Sequence, residues 1–392
     1  MRVVFASYGV GATYEKVFHQ KYGFAVIFLN KHRNSRSMLI SRFDLSTDRK
    51  VADLDVKDKR VLQLLAADAR APLTVIAKEV KLSRDAVDYR IKRLQEQGVI
   101  RACVPHLDFE RLGFYTFHVF LLLDDMHGAE QDALIAYLSK HPNVRSIIEY
   151  SDRWDLEIVL LARSLQEFDG LVLDIAGRFP DIILEKDKVE IIKQYGHTAF
   201  PQLLVQKEKP NGVVAPHGEC AIDVTDLAIL RDLALDCRAS TYDIAARVKV
   251  SSDTVAYRIK QLVANGVIRR FTVIPDLTLL GLQWYTYTIE TKMFDATSEA
   301  KLESYLETDR SVIRSAKTLG GWDLLLYIAA PGPREFHKTV RALKGLFPHI
   351  VRNYQAWIGY REHVLVPVPG CVLSMLEKKA EKSVVKKTIK KK

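Results

Sequence analysis

Apolar and polar positions along the chain fall into two alternating periods. Between residues 58 and 66, Val61, Leu62, Leu65 and Ala66 form a helical stripe, which Arg70, Ala71 and Pro72 break. Residues 73–80 follow as a second short helix with Ile76, Ala77 and Val80 inward, and Lys81 and Leu82 make a tight turn. Ser83 is placed to cap a third helix running to Gln97, where Gly98 stops it. On a helical wheel Val87, Ile91 and Leu94 fall within about 60° of one another and define the buried face. Asp85, Tyr89, Lys92 and Glu96 lie opposite, Asp88 and Arg93 flank them, and Arg90 borders the buried stripe. Residues 99–101 begin a strand, read as a wing. Past Gly113 the period changes. Residues 114–123 read as a strand, 131–141 as a helix, 144–150 and 154–161 as two strands joined by a turn. Residues 165–179 read as a helix and 182–194 as a closing strand or two. The order βαββαβ predicts a ferredoxin-like antiparallel sheet with helices on one face.

The whole pattern occurs twice. A shift of 168 residues, without gaps, places Asp223 on Asp55, Ser251 on Ser83, Gly266 on Gly98 and Trp322 on Trp154. Of the 47 positions in 55–101, 25 are identical in 223–269, so this is a tandem duplication rather than a solenoid. The predicted class is α+β, a winged helix-turn-helix followed by a ferredoxin-like domain, the pair repeated. The predicted domains are a basic segment 1–52, helix-turn-helix heads at 53–104 and 223–272, and ferredoxin-like domains at 105–201 and 273–369. A Pro- and Gly-bearing linker spans 202–222, and a disordered Lys-rich tail spans 370–392.

Charge adds an asymmetry. The net charge is +10, yet residues 1–50 and 370–392 carry +6 each, which leaves −2 on the body. Basic ends of this kind contact nucleic acid or a membrane surface loosely through charge, or serve only to keep the chain soluble. Met38, just before the organised part, is read as a possible true start. Window 55–101 totals +4 against +1 for 223–269, and 102–201 totals −8 against +2 for 270–369. No apolar run approaches the ~20 residues of a membrane helix. Four scattered cysteines make no CxxC pair and fit a reducing cytoplasm. No catalytic triad, phosphate loop or metal-spaced cluster stands out, so no catalytic residue, metal or cofactor is expected. His106, His118 and His197 are read as surface or packing residues.

A helix that offers Lys, Arg, Tyr and Asp near its N-terminal end suits the major groove. There Lys and Arg donate to guanine and Asp accepts from cytosine. The DNA-contact candidates are Ser83, Arg84, Asp85, Asp88, Tyr89, Arg90, Lys92 and Arg93 in the first copy. Their counterparts are Ser251, Ser252, Asp253, Tyr257, Arg258 and Lys260. Arg90 and Arg258 are equally open to another role, an ion pair anchoring the helix to its neighbour.

At 82–100, followed by Leu107-Asp108 and Leu112-Gly113, the chain resembles the Lrp/AsnC family of transcription regulators, and 251–268 with Asp276 and Leu280-Gly281 is similar to it too. The resemblance covers 53–201 and 221–369; most members carry one copy, so the fusion is a departure. It implies a prokaryotic, cytoplasmic regulator of double-stranded DNA whose second domain, the RAM domain, self-associates through its sheet, within the chain or between copies. It further implies an amino-acid-like effector at the turn between the second and third strands of that domain. Gly320, Gly321 and Asp323 match the family's turn, whereas residues 151–155 lack both glycines. Two alternatives stay open. One is an architectural chromatin protein of low specificity, clamped by its Lys tail. The other is an enzyme similar to sirohaem decarboxylases, although the His/Arg-bearing stretch of that family is replaced here by 145–150 and 314–319.

Overall fold

The computed structural model describes residues 40–124, 126, 128–197, 201–204 and 218–375. Met38 and the charged segments 1–39 and 376–392 lie outside the described residues. In repeat one the order is α1 (Val56–Ala67), α2 (Leu73–Val80), α3 (Arg84–Glu96), β1 (Ile100–Leu107), β2 (Tyr115–Leu123), α4 (Gly128–Leu138), β3 (Val144–Tyr150), β4 (Leu156–Ala162), α5 (Leu165–Arg178) and β5 (Ile183–His197). Repeat two runs α6 (Val224–Leu235), α7 (Thr241–Val248), α8 (Ser252–Ala264), β6 (Ile268–Pro275), β7 (Gln283–Thr291), α9 (Ala296–Thr308), β8 (Val312–Gly320), β9 (Leu324–Ala330), α10 (Pro333–Leu346) and β10 (Val351–Leu365).

Local chemistry starts each head the same way. Asp55 caps α1 and Asp58 answers it in a capping box, and Asp223 and Asp226 repeat this at α6. Ser83 and Ser251 cap α3 and α8. The turn before each capped helix passes through a lysine in the left-handed region, Lys81 at φ +54° and Lys249 at φ +62°. Val61, Leu62, Leu65, Val87 and Leu94 are fully buried, so the helical stripe faces the core as expected.

Three predictions change. The wing is not one: β1 leaves its own head and pairs antiparallel with β6, from Ile100 opposite Pro275 to Leu107 opposite Ile268. The two sheets do not stay separate. Strands β3-β4-β2-β5 and β8-β9-β7-β10 join at both ends, β5 to β8 and β10 to β3, into one closed eight-stranded barrel. Closure leaves no sheet edge to manage, and α4, α5, α9 and α10 pack on its outside. Finally, the boundaries shift. Residues 40–52 belong to the fold: Phe43 is buried and stacks on Trp284 at 5.1 Å, and Arg42 pairs with Glu362. A short helical turn, Gly370–Leu373, likewise tucks Val372 inward, so the tail begins later than expected.

Inside the barrel an aromatic cluster gathers Phe120, Trp154, Trp322 and Trp357. Cys103 and Cys237, far apart in sequence, meet where β1 crosses the second head. Among the described residues no helix is long and apolar enough to cross a membrane.

Candidate nucleic-acid interface

The capping serines place the first turns of α3 and α8 at the molecular surface. Ser83 accepts from the Ala86 amide at 3.2 Å and Ser251 from the Thr254 amide at 3.1 Å, so both hydroxyls are engaged as caps. Arg84, Asp85, Tyr89 and Lys92 are exposed on α3, and Asp253, Tyr257 and Lys260 on α8. Tyr89 and Tyr257, at matching positions of the two helices, are 66% and 60% exposed. Ser252 is half-buried. Asp88 forms an ion pair with Lys92 one turn on, at 2.7 Å.

The arginines divide. Arg90 donates to Asp55 at 2.8 Å and to Asp58 at 2.6 Å, Arg93 donates to Asp58 at 2.5 Å, and Arg258 pairs with Asp223 at 2.8 Å and Asp226 at 3.3 Å. Asp58 and Asp226 are buried carboxylates at the start of the first helix of each head. Burial works to raise the Asp55 carboxyl, but the Asp58 amide and the Arg90 guanidinium hold it below its usual range. Of the two roles open to Arg90 and Arg258, the structure shows the ion pair: with Arg93 they tie the reading helix to α1 or α6. Arg84 is exposed at the start of α3 and makes no ion pair among the described residues.

The β8–β9 turn has a packing role. A methyl group on Gly320 would overlap the carbonyl oxygen of Lys188, and one on Gly321 the carboxylate of Asp187. These glycines let β8 lie against β5. Asp323 accepts from the Thr291 amide at 2.6 Å and its hydroxyl at 2.9 Å. Asp155 does the same to the Leu123 amide at 2.6 Å in repeat one, so the carboxylate fixes a turn in both copies.

The histidines read as surface or packing residues do more. His118 is fully buried, with Nδ1 2.5 Å from Glu157 Oε1. Glu157 also accepts from the hydroxyls of Tyr150 and Tyr327. Burial tends to raise Glu157, but His118 and the two hydroxyls outweigh it and hold the carboxyl below its usual range. His106 lines a cavity between the β1–β6 ribbon and the barrel, together with Arg42, Arg145, Arg314 and Trp284. The side chain of His197 lies outside the described residues. The cavity arginines were missed as a site. Arg145 and Arg314 lie near the starts of β3 and β8, one position out of step under the 168-residue shift, in the two stretches that had counted against enzyme chemistry.

Two capped reading helices on heads joined by an exchanged ribbon, above a shared barrel, define a helix-turn-helix protein with a fused second domain. The model of the AsnC-type helix-turn-helix domain matches residues 54–95 and 222–263. An uncharacterized HTH-type transcriptional regulator of Pyrococcus abyssi is 30% identical over 122 residues, covering 31% of this chain and 81% of that protein. The HTH-type transcriptional regulator FL11 of Pyrococcus horikoshii is 29% identical over 129 residues, 33% of this chain and 83% of that protein. The chain belongs to the Lrp/AsnC family of HTH-type transcriptional regulators, and each such relative corresponds to one of its two copies. The siroheme decarboxylase NirDL shares the fold over 83% of this chain and 99% of its own, with a TM-score of 0.56 and 14% identity.

Proposed function

We propose that the chain is a non-enzymatic, cytoplasmic regulator that reads an asymmetric operator with two unlike heads. The observation that carries this is the difference between the two exposed reading faces. Arg84 and the Asp88–Lys92 pair on α3 are matched on α8 by Ser252, Ala256 and a Lys260 that makes no ion pair among the described residues. Arg84, Asp85, Tyr89 and Lys92 contact one half-site, and Asp253, Tyr257 and Lys260 contact the other. Ser83 and Ser251 present the helix N-termini to the backbone. Half-sites for paired heads lie roughly 34–36 Å apart or at multiples of that spacing. Joining the heads in one chain raises the effective concentration of the second and removes the need for identical half-sites.

Selection of genomic fragments by the full-length protein, at low and near-physiological salt, tests the reading. A motif with two unlike halves at both salts is expected. Perfect palindromes would refute the asymmetry, and binding without enrichment that vanishes with salt would favour the architectural role. The enzyme reading has fold likeness behind it and no more. The purified protein is expected to show no visible tetrapyrrole absorbance, and a bound chromophore would revive that reading.

A further inference from the structure

The cavity under the ribbon lies where the two repeats meet. Residues 104–107, Thr272, Ile274 and Pro275 of the exchanged strands line it from one side, and Arg145 of β3, Trp284 of β7 and Arg314 of β8 from the other, with Arg42 contributed by the segment ahead of the first head. Its volume is about 70 Å³. A water needs about 10–15 Å³ by the same measure, so there is room for several waters or one small organic molecule.

Its charges do not balance locally. Arg42 is engaged, gripping Glu362 through two nitrogens at 2.6 and 2.9 Å while lying over Trp284 at 4.4 Å. Glu362 also accepts from the Ser146 hydroxyl at 3.0 Å. Glu157, deeper in the barrel, is taken by His118 and two tyrosines. The charges of Glu362 and Glu157 reach Arg145 and Arg314 from a distance, but among the described residues no ion pair joins either arginine to a carboxylate. Neither guanidinium donates a hydrogen bond to any described residue, and both Nε atoms are shut off from solvent. Their one close partner each is an aromatic face, Phe109 at 4.9 Å from Arg145 and Tyr327 at 5.6 Å from Arg314. A guanidinium always carries charge and five donors in a planar fork. Both residues are half-buried, so two such forks, one from each repeat, stand beside an apolar pocket with donors available to an incoming acceptor.

We propose that this cavity binds a small organic dianion, one anionic end taken by Arg145 and the other by Arg314, with the ribbon closing over it. The chemistry fits carboxylate and phosphoryl ends alike, because both match the guanidinium fork. Occupancy would bridge the two repeats directly under the strands that carry both reading heads. Only this consequence for DNA rests on the regulator reading; the binding site stands without it.

The test uses the full-length protein with succinate, citrate, glycerol phosphate and inorganic phosphate as probes, and glycerol as an uncharged control, read by thermal melting and titration calorimetry. At least one dianion should raise the melting temperature in a concentration-dependent way, and glycerol should not. Response to the carboxylates or to the phosphates identifies the source. The Arg145→Met/Arg314→Met variant should weaken binding by roughly an order of magnitude or more, as loss of two bidentate pairs requires. Without ligand it should melt no lower than the parent, since it removes two unpaired cations. If that variant fails to fold, Arg145→Lys/Arg314→Lys keeps the charges, loses the forks, and should still weaken binding. No response to any dianion at millimolar concentration, or a response undiminished in a folded variant, overturns the site. Mobility shifts on selected DNA separate the two questions: loss of DNA binding with anion binding intact would refute the regulator reading alone.

Discussion

Gly320 sits at φ +150° where β8 crosses β5, and any side chain there runs into the backbone of Lys188. Neither strand can move without opening the barrel seam. Gly320→Ala is therefore expected to cost about 1–3 kcal/mol, measured by urea denaturation, as overpacking against backbone does. A neutral result would mean that the turn is free, as a ligand loop would be. Two histidines give a pH signature. Burial holds His118 below its usual value, and burial together with the charges of Arg270, Arg145, Arg269 and Arg314 holds His106 well below it. The unfolded chain takes up protons at these positions near pH 6.5, where the folded chain does not. Their contribution to stability is therefore full above about pH 6.5 and falls as pH drops from there toward the lowered folded values. The slope is at most about 1.4 kcal/mol per pH unit for each histidine. His106→Asn should flatten the loss between pH 7 and 5; equal slopes for parent and variant would refute a half-buried, neutral His106.

Each reading helix combines residues that hold it with residues free to touch DNA, and its periodicity alone does not sort one from the other. The wheel showed which face of α3 is buried because Val87, Ile91 and Leu94 recur at the helical period. It left Arg90 at the border, open to phosphate or to an ion pair. The choice depends on Asp55 and Asp58, brought there by the packing of α1. Arg90→Ala is expected to lower stability by about 1–3 kcal/mol through the buried Asp58 carboxylate. It should leave the salt dependence of DNA binding unchanged. Arg84→Ala should do the reverse, reducing the salt slope by about one with little change in stability. Melting curves beside binding titrations at several salts check both; a stable Arg90→Ala protein with a reduced slope would return Arg90 to the interface. The helices and most strands were legible because their signals lie within a dozen residues. The ribbon and the barrel closure were not, since a strand's own alternation does not say which strand it will pair with. Asp108 and Asp276 show the same limit. Both stood out as motif residues, yet their partners, Arg269 at 2.6 Å and Arg101 at 3.0 Å, each come from the other repeat.

Exchange between repeats governs the whole molecule. The ribbon pairs β1 with β6, and the barrel is sealed by β5 on β8 and β10 on β3. The segment leading into each head clasps the opposite copy: the Ala52 amide donates to the Leu279 carbonyl and the Cys220 amide to the Arg111 carbonyl, both at 2.8 Å. Between the heads, Arg70 donates to the carbonyls of Cys237 and Ala239, and Arg238 to that of Ala69. Neither half possesses a complete core or a closed sheet by itself, so the continuous chain adds little beyond proximity. Its contribution is a loop-closure term that changes only slowly with loop length. A protease site inserted within 205–217 and cut in the folded protein should therefore leave the halves together. They should co-elute at the size of the intact chain and melt in one transition, now dependent on protein concentration because association has become bimolecular. Two separate species at micromolar concentration, or two independent transitions, would show that the connecting residues hold the copies together and the exchanged surfaces do not. The first outcome also explains how two unlike heads stay a fixed distance apart: their spacing is set by the ribbon and barrel, whatever the length of the segment that joins them.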